Sequence, residues 1–440
     1  MASATLKVEI VSRETIKPSS PTPSNLGTFG LSLLDQFFPA VYTHSFLFYP
    51  AKSDNNLHLD VKKRCHVLKT SLSKTLALYY PFAGRIKDHI SIDCNDEGAT
   101  FIETRVNCLL SDVLQNPNPD QFKEFLPPEF EQSVAIGTGN LLLVQANFFE
   151  CGGMAIAVCL SHKIADGTTY TTFMKVWASI AREASEVVHL ELFAGATLFP
   201  PIDYKLPSNV NFLLFKDKSR ISKRFIFTAS NIDALKAKIT SASVQQPTRV
   251  EAITALIWKC AMTASRSIKG TCSTPSLCTL SVNLRKRLST PLSEYLIGNI
   301  VSGITVEFSE TKIELQSLVI KLRKELKELK VNREEISDTI NKMLEIATSG
   351  KGIGGVVDTY SFSSWCRMPL YETDFGWGKP LWISFANLEV PNGGGVFVDT
   401  REGDGIEAWI TLREDEMAIF EQNEELLSFA YVNPSVIEMT

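Results

Sequence analysis

The chain has 440 residues, 44% hydrophobic and 21% charged, with a net charge of −5. That length supports two or three domains, each with a substantial core, and the mild acidity argues against a nucleic acid or an anionic membrane as the main partner. No apolar run approaches the roughly 18 residues of a membrane span. The start, Met1-Ala2-Ser3-Ala4-Thr5-Leu6-Lys7, has no charged-then-apolar signal pattern, and the end, Glu438-Met439-Thr440, is no peroxisomal tail, so the expected location is cytoplasmic. The nine cysteines are scattered without any Cys-x-x-Cys, which indicates neither a metal site nor a redox pair. Buried free thiols in a reducing compartment are the expected state of most of them.

The segment Lys17-Pro18-Ser19-Ser20-Pro21-Thr22-Pro23 must be extended, because proline fixes its own φ and restricts the residue before it. Val61, Cys65, Leu68, Leu72, Leu76 and Tyr79 recur at steps of three and four, which predicts an amphipathic helix over 61–80. It ends at the turn Tyr80-Pro81-Phe82-Ala83-Gly84-Arg85. Cys94-Asn95-Asp96-Glu97-Gly98 separates two alternating runs and predicts a hairpin. Residues 141–149 and 154–160 are predicted strands joined by Glu150-Cys151-Gly152-Gly153. The second delivers His162 to a loop in which Gly167, Thr168 and Thr169 are expected to break the strand. Phe173, Val176, Trp177 and Ile180 then mark a helix.

Proline and polar residues interrupt all periodicity over 201–222, which is read as a crossover linker between an N-terminal domain, 1–200, and a C-terminal domain, 223–440. In the second half a helix starts at Asn231, another covers 250–260 with Trp258, and a strand lies near 277–283. A highly charged helix over 312–330 carries Leu315, Leu318, Leu322, Leu326 and Leu329 on one face. So short a repeat fits a helix covering a sheet better than a coiled-coil partner. Strands and helices alternate in two halves of similar size, an α/β (α+β) chain.

His-x-x-x-Asp occurs twice. From His89 to Asp93 polar and apolar residues alternate as in a half-buried strand, which holds the two polar groups about 13 Å apart at a rise of about 3.3 Å per residue. Ser161-His162-Lys163-Ile164-Ala165-Asp166-Gly167 differs, because His162 leaves a buried strand for a loop, where rigid scaffolds present reactive side chains. Taken alone, a hydrogen-bonded loop histidine is the commoner outcome. As chemistry, a neutral imidazole with an unperturbed pKa of about 6.5 suits a general base that takes a hydroxyl proton. The absence of Gly-x-Ser-x-Gly fits direct transfer without a covalent intermediate. Asp166 could orient the imidazole or point away and pair with an arginine. Asp374-Phe375-Gly376-Trp377-Gly378 suits a tight, packed turn, which makes Asp374, Gly376 and Gly378 structural. No His-Arg-Asp or glycine-rich loop precedes it, as a kinase would need.

Together the two motifs resemble the signatures of the plant BAHD acyltransferases. The resemblance covers nearly the whole chain in the family's order: Leu33-Leu34-Asp35, Leu72-Ser73, the 80–85 turn, the His162 motif, Val282-Asn283-Leu284-Arg285, Ile297-Gly298-Asn299, Ser364-Trp365-Cys366-Arg367 and the Asp374 motif. Lys17 to Pro23, Asp93-Cys94-Asn95-Asp96 and Phe149-Glu150-Cys151-Gly152-Gly153 look like one group within it, whose likeness implies a bulky alkaloid or terpenoid alcohol as acceptor.

What the resemblance implies is specific. It implies two chloramphenicol-acetyltransferase-like, CoA-dependent acyltransferase domains with a solvent channel between them and His162 at its middle. The donor would be an acyl-CoA, acetyl-CoA first, acting as co-substrate with no tightly bound cofactor; the protein would act as a monomer on a small-molecule alcohol. His162 would be the general base, Asp166 would bridge to Arg285, and Ser363 with Trp365 would hold the oxyanion. The Asp374 motif would lie off the reaction centre. Thr248, Arg285, Lys286 and Asn299 become candidate contacts to the phosphates of CoA, Thr248 because a helix N-terminus can meet a phosphate. Against these stand ordinary readings: basic runs are usually solvated, and a threonine there can be only a cap. The family's Tyr-Phe-Gly-Asn appears here as Leu296-Ile297-Gly298-Asn299, and threonine is often found where this chain has Ser363. Two alternatives remain. A peptide-forming condensation domain shares His-x-x-x-Asp-Gly, but no carrier domain is present. A family member could also bind a metabolite or partner without turnover, against which His162, Gly167 and Trp365 stand.

Overall fold

The structure, a computed structural model, describes residues 6–51, 57–130, 139–184, 194–202, 219–329, 331, 357–385 and 393–437. Every residue of Leu142–Phe149 and Met154–Ser161 is buried, as strands covered on both faces must be. They form the middle of a six-stranded sheet ordered β1 (Val8–Ile16), β6 (Ala99–Val106), β7 (Leu142–Phe149), β8 (Met154–Ser161), β3 (Tyr42–Tyr49) and β13 (Trp382–Ser384). A seven-stranded sheet runs β11 (Val301–Phe308), β10 (Ser276–Asn283), β12 (Asp358–Ser364), β14 (Gly394–Asp399), β15 (Ile406–Arg413), β9 (Arg220–Phe227) and β16 (Tyr431–Val432). A three-stranded sheet joins β2 (Thr28–Gly30), β5 (Ser91–Asp93) and β4 (Arg85–Ile86). The two large sheets mix parallel and antiparallel pairs, which gives the mixed α/β, two-domain architecture.

The helices follow the apolar periodicity. Leu57–Leu78 buries Cys65, Leu68, Leu72 and Leu76 and packs on the helix Gly167–Ala181, where the Trp177 indole donates to Ser71 Oγ at 2.9 Å. In the second domain Arg249–Lys269 ends at Gly270, whose φ of +63° closes the helix with a left-handed residue. Leu315–Glu328 buries Leu315, Leu318 and Leu322 in the same core as Val306 and Phe308, so it covers the domain core rather than seeking a partner helix.

Three expectations change. The hairpin around 94–98 does not form: β5 pairs with β2 and β4, while β6 lies between β1 and β7. Strand β6 is almost wholly buried and takes a partner on each edge, more than a two-stranded hairpin offers. Gly98, at φ +93°, redirects the chain where a Cβ would lie 2.6 Å from the Ile16 carbonyl oxygen. Within the expected linker, 203–218 lie outside the described residues, and residues 220–222 already belong to β9, which pairs with β15 along its length. Finally, β13 comes from the second half of the chain but pairs with β3 of the first sheet. Among the described residues no helix is long and apolar enough to cross a membrane, and all nine cysteines are free thiols.

Strand β13 is joined to the second sheet by a buried ion pair. Arg224 donates to both oxygens of Glu407, at 2.8 and 3.4 Å, and the Trp382 indole donates to the same carboxylate at 3.1 Å. The guanidinium also lies 5.0 Å from the Trp382 ring centroid. Glu407→Ala is expected to strand a buried guanidinium and cost about 3–5 kcal/mol, with little further loss when Arg224→Met is added. Thermal unfolding of the two single variants and the double variant checks this; strictly additive losses would contradict the coupling.

Candidate active site

Strand β8 ends at Ser161, and the next residue, His162, is held at once: its backbone N–H donates to the Val41 carbonyl at 2.7 Å. The loop is shorter than the sequence suggested, because Thr168 and Thr169 already lie in the helix Gly167–Ala181. Asp166 is the N-cap of that helix and accepts from the Thr169 N–H at 2.8 Å. Gly167 allows close contact, since a Cβ there would stand 2.9 Å from the Trp365 ring. Trp365 therefore packs directly against the motif.

Asp166 does not touch the imidazole. Its carboxylate accepts from Arg285 Nη1 at 2.6 Å and Nη2 at 3.2 Å, and from the Ile300 N–H at 3.1 Å. Both side chains of the pair are 1% exposed. Arg285 Nη2 also donates to the carbonyls of Leu296 and Gly298, at 3.0 and 3.2 Å. The pair thus gathers the 296–300 segment of the second half against the motif of the first, where Ala165 and Gly298 form a parallel bridge.

That gathering delivers Asn299. Its amide nitrogen donates to Asp35 Oδ1 at 2.9 Å and to the His162 carbonyl at 2.8 Å, and its amide oxygen faces His162 Nδ1 at 3.0 Å. Turning the amide over would set its oxygen against a carboxylate, so the network fixes its orientation. An amide oxygen only accepts, so Nδ1 carries the imidazole proton and Nε2 keeps its lone pair. Asp35 is held in turn by a capping box with Ser32, which donates from N at 2.8 Å and from Oγ at 2.7 Å. Burial pushes the Asp35 carboxyl above its usual range, against the hydrogen bonds from Ser32 and Asn299. At Gly298, φ is +126° and a Cβ would lie 3.3 Å from Asp35 Oδ2. Burial also lowers the His162 pKa from its ordinary value, so the imidazole is neutral around pH 7. One of its faces stacks on Phe38, with centroids 4.3 Å apart and planes 13° apart.

The expected site residues divide. His162, Asp166, Arg285, Asn299 and Trp365 come together. Ser363 sits two residues before Trp365 on β12, in register with Val396 and half-buried. As contacts for CoA, Asn299 and Arg285 do not fit: both are fully buried, the Asn299 amide is bonded to Asp35 and His162, and Arg285 spends Nη1 and Nη2 on Asp166 and on backbone carbonyls. Thr248 closes its own capping box with Glu251, so that helix N-terminus already holds an anion, itself paired with Arg323. Lys286 is exposed and pairs with Glu294 at 2.9 Å. Asp374 accepts from the N–H groups of Gly376 and Gly378, at 2.8 and 2.9 Å, with both glycines at positive φ. It lies 3.8 Å from Arg182, just past the end of the Gly167–Ala181 helix. His162 precedes the other end, about 22 Å away along a 15-residue helix. Residues the sequence reading missed are Asp35, Phe38 and Lys163. Of these only Asp35 left a signal, in the Leu33-Leu34-Asp35 segment of the family resemblance and the Ser32-x-x-Asp35 spacing of a cap, though neither gave it a role at the imidazole.

The Transferase family pattern matches residues 6–427 of this chain. The chain is 39% identical to akuammiline synthase 1 of Alstonia scholaris, over 96% of this chain and 97% of that protein. It is 37% identical to limonoid 1-O-acetyltransferase of Citrus sinensis, over 98% of this chain and 100% of the other. The crystal structure of vinorine synthase superposes with a TM-score of 0.85 at 35% identity, covering 98% of this chain and 100% of that one.

Asp166→Asn is expected to cost about 3–5 kcal/mol by leaving Arg285 buried and unpaired, with Arg285→Ala giving a similar, non-additive loss in thermal unfolding. Normal stability together with lost activity would instead mark Asp166 as a direct participant. Asp374→Asn should lower the melting temperature and soluble yield with only partial loss of activity; an altered acid limb in its pH–rate profile would contradict a purely structural role.

Proposed function

This chain belongs to the Transferase family, the BAHD acyltransferases, and within it we propose that the protein moves an acetyl group from acetyl-CoA to a hydroxyl of an alkaloid or terpenoid. The observation that carries the reading is the chain Asp35–Asn299–His162, which leaves Nε2 of a neutral imidazole as the proton acceptor. Nε2 takes the hydroxyl proton as the alcohol oxygen attacks the thioester carbonyl. The oxyanion meets donors from Trp365 and Ser363. Collapse expels the CoA thiolate, which recovers the proton from the imidazolium. No covalent enzyme intermediate is needed.

Likeness to a limonoid 1-O-acetyltransferase supports the acetyl donor and a terpenoid acceptor. We read the first 200 residues as one domain and the chain from β9 onward, Arg220 to the end, as the other, with a channel between them reaching His162. Of the residues considered for the CoA phosphates, Lys286 and Thr248 retain surface positions. The enzyme is read as a cytoplasmic monomer with no tightly bound cofactor.

Incubation with acetyl-CoA, with malonyl-CoA as comparator, and a panel of alkaloid and terpenoid alcohols under mass detection is expected to yield a product heavier by one acetyl group. Retention of the whole panel unmodified would sink the reading in favour of binding without turnover. His162→Ala should lower kcat by about 10²- to 10⁴-fold while acetyl-CoA binding persists; near-wild-type turnover would refute the base. Since burial holds the His162 pKa below 6.5 and only the neutral imidazole accepts a proton, activity should fall with acid through a limb below pH 6.5 and be level at neutrality. A limb centred above that value would contradict the assignment.

A further inference from the structure

Lys163 follows the candidate base, and its ammonium is spent on the protein. Nζ donates to the carbonyls of Gln36 at 2.9 Å and Phe38 at 3.2 Å, at the end of the helix Leu33–Phe37. Five residues do not make a helix that holds itself, so outside ties decide where its last turn lies. A second tie is the Gln36 side chain, which exchanges hydrogen bonds with the Ile202 backbone at 2.8 and 2.9 Å. Both supports of the imidazole lead back to this one helix: Asp35 through Asn299 on the Nδ1 edge, and Phe38 on a ring face.

We propose that Lys163 is a positioning residue whose ammonium clamps the end of the Leu33–Phe37 helix and so holds the Phe38 ring against His162, fixing the imidazole plane for proton transfer. The catalytic consequence rests on the function proposed above; the clamp itself does not. A cation suits carbonyls at a helix end, and a neutral amine, without the charge, grips them less. The clamp therefore loosens as Lys163 loses its proton. Burial lowers its pKa from 10.5 to about 8, against the Asp35 carboxylate, which favours the charged form. The ammonium is present below that value and lost as pH rises through it. Among the described residues the charged group acting on it is Asp35, from the Leu33–Phe37 helix; its chain neighbour His162 is already neutral at that pH.

The test is ¹⁵N-histidine NMR on the full chain, with the His162 signals identified by their absence from His162→Gln. In the wild type they should show the Nδ1–H tautomer near neutrality and then shift with a midpoint at about 8, where no imidazole of ordinary pKa titrates. Lys163→Arg, charged throughout, should keep the tautomer and lose the alkaline shift. Lys163→Met should show the alkaline spectrum of the wild type already at neutrality, with no further transition. With an accepted alcohol, kcat of Lys163→Met should fall about tenfold through misplacement of the base, with KM for acyl-CoA nearly unchanged. If the arginine variant fails to fold, the methionine variant alone decides. An unchanged His162 spectrum in folded Lys163→Met, a persisting alkaline shift in Lys163→Arg, or a loss confined to KM would overturn the clamp. The spectra need no substrate, so their failure is distinct from failure of the acyltransferase reading.

Discussion

The Asp166–Arg285 pair is the contact on which the site depends. Removing two charges from water is expensive, and the cost is offset only where the pair geometry is good and further hydrogen bonds take up the remaining donors and acceptors; in this pair only Arg285 Nε goes without a partner among the described residues. Here the carboxylate is filled by a guanidinium, a helix N-terminal N–H and the Ile300 N–H, and the guanidinium reaches two further carbonyls. These partners come from both domains. The pair therefore fixes the 296–300 segment beside the end of β8, and Asn299 reaches the imidazole as a consequence.

The two carboxylates near His162 divide their work by distance. Asp166 is saturated by its own partners and acts on the architecture. Asp35 acts through an amide: it fixes which way Asn299 points, and Asn299 fixes which nitrogen of His162 carries the proton. A neutral amide between carboxylate and imidazole sets the tautomer without strongly raising the basicity of a base that burial already keeps neutral. This would suit the transfer proposed above, in which a proton is accepted near pH 7 and returned to the leaving thiolate.

The aromatic pentapeptide serves at the other end of the Gly167–Ala181 helix. Phe375 meets Trp177 edge to face at 4.9 Å and stacks beside Trp377, and the following strand, β13, closes the first sheet against β3. The second half of the chain thus supplies an edge of the first domain, and the buried Arg224–Glu407 pair secures it. Rigid support for His162 comes from elements far apart in sequence that share one core.

Much of the fold was legible because burial leaves a periodic trace. The apolar run through Met154–Ser161, the leucine steps of the Leu57–Leu78 and Leu315–Glu328 helices, and the glycine-spaced turn at Asp374 each record a local requirement of backbone geometry or buried face. The sequence by itself determined the strand that presents His162, the helix behind it and, through the family motifs, the partnership of Asp166 with Arg285. Only the tertiary structure decided that β6 pairs with β1 rather than forming a hairpin with β5, that β13 crosses to the first sheet, and that Asn299 serves His162 instead of a phosphate. It alone joined Lys163 to Phe38. The physical reason is range: His162 and Asn299 are 137 residues apart, and Asn299 and Asp35 are 264. A hydrogen bond between such positions constrains one side chain at each end and leaves no period in the sequence between them.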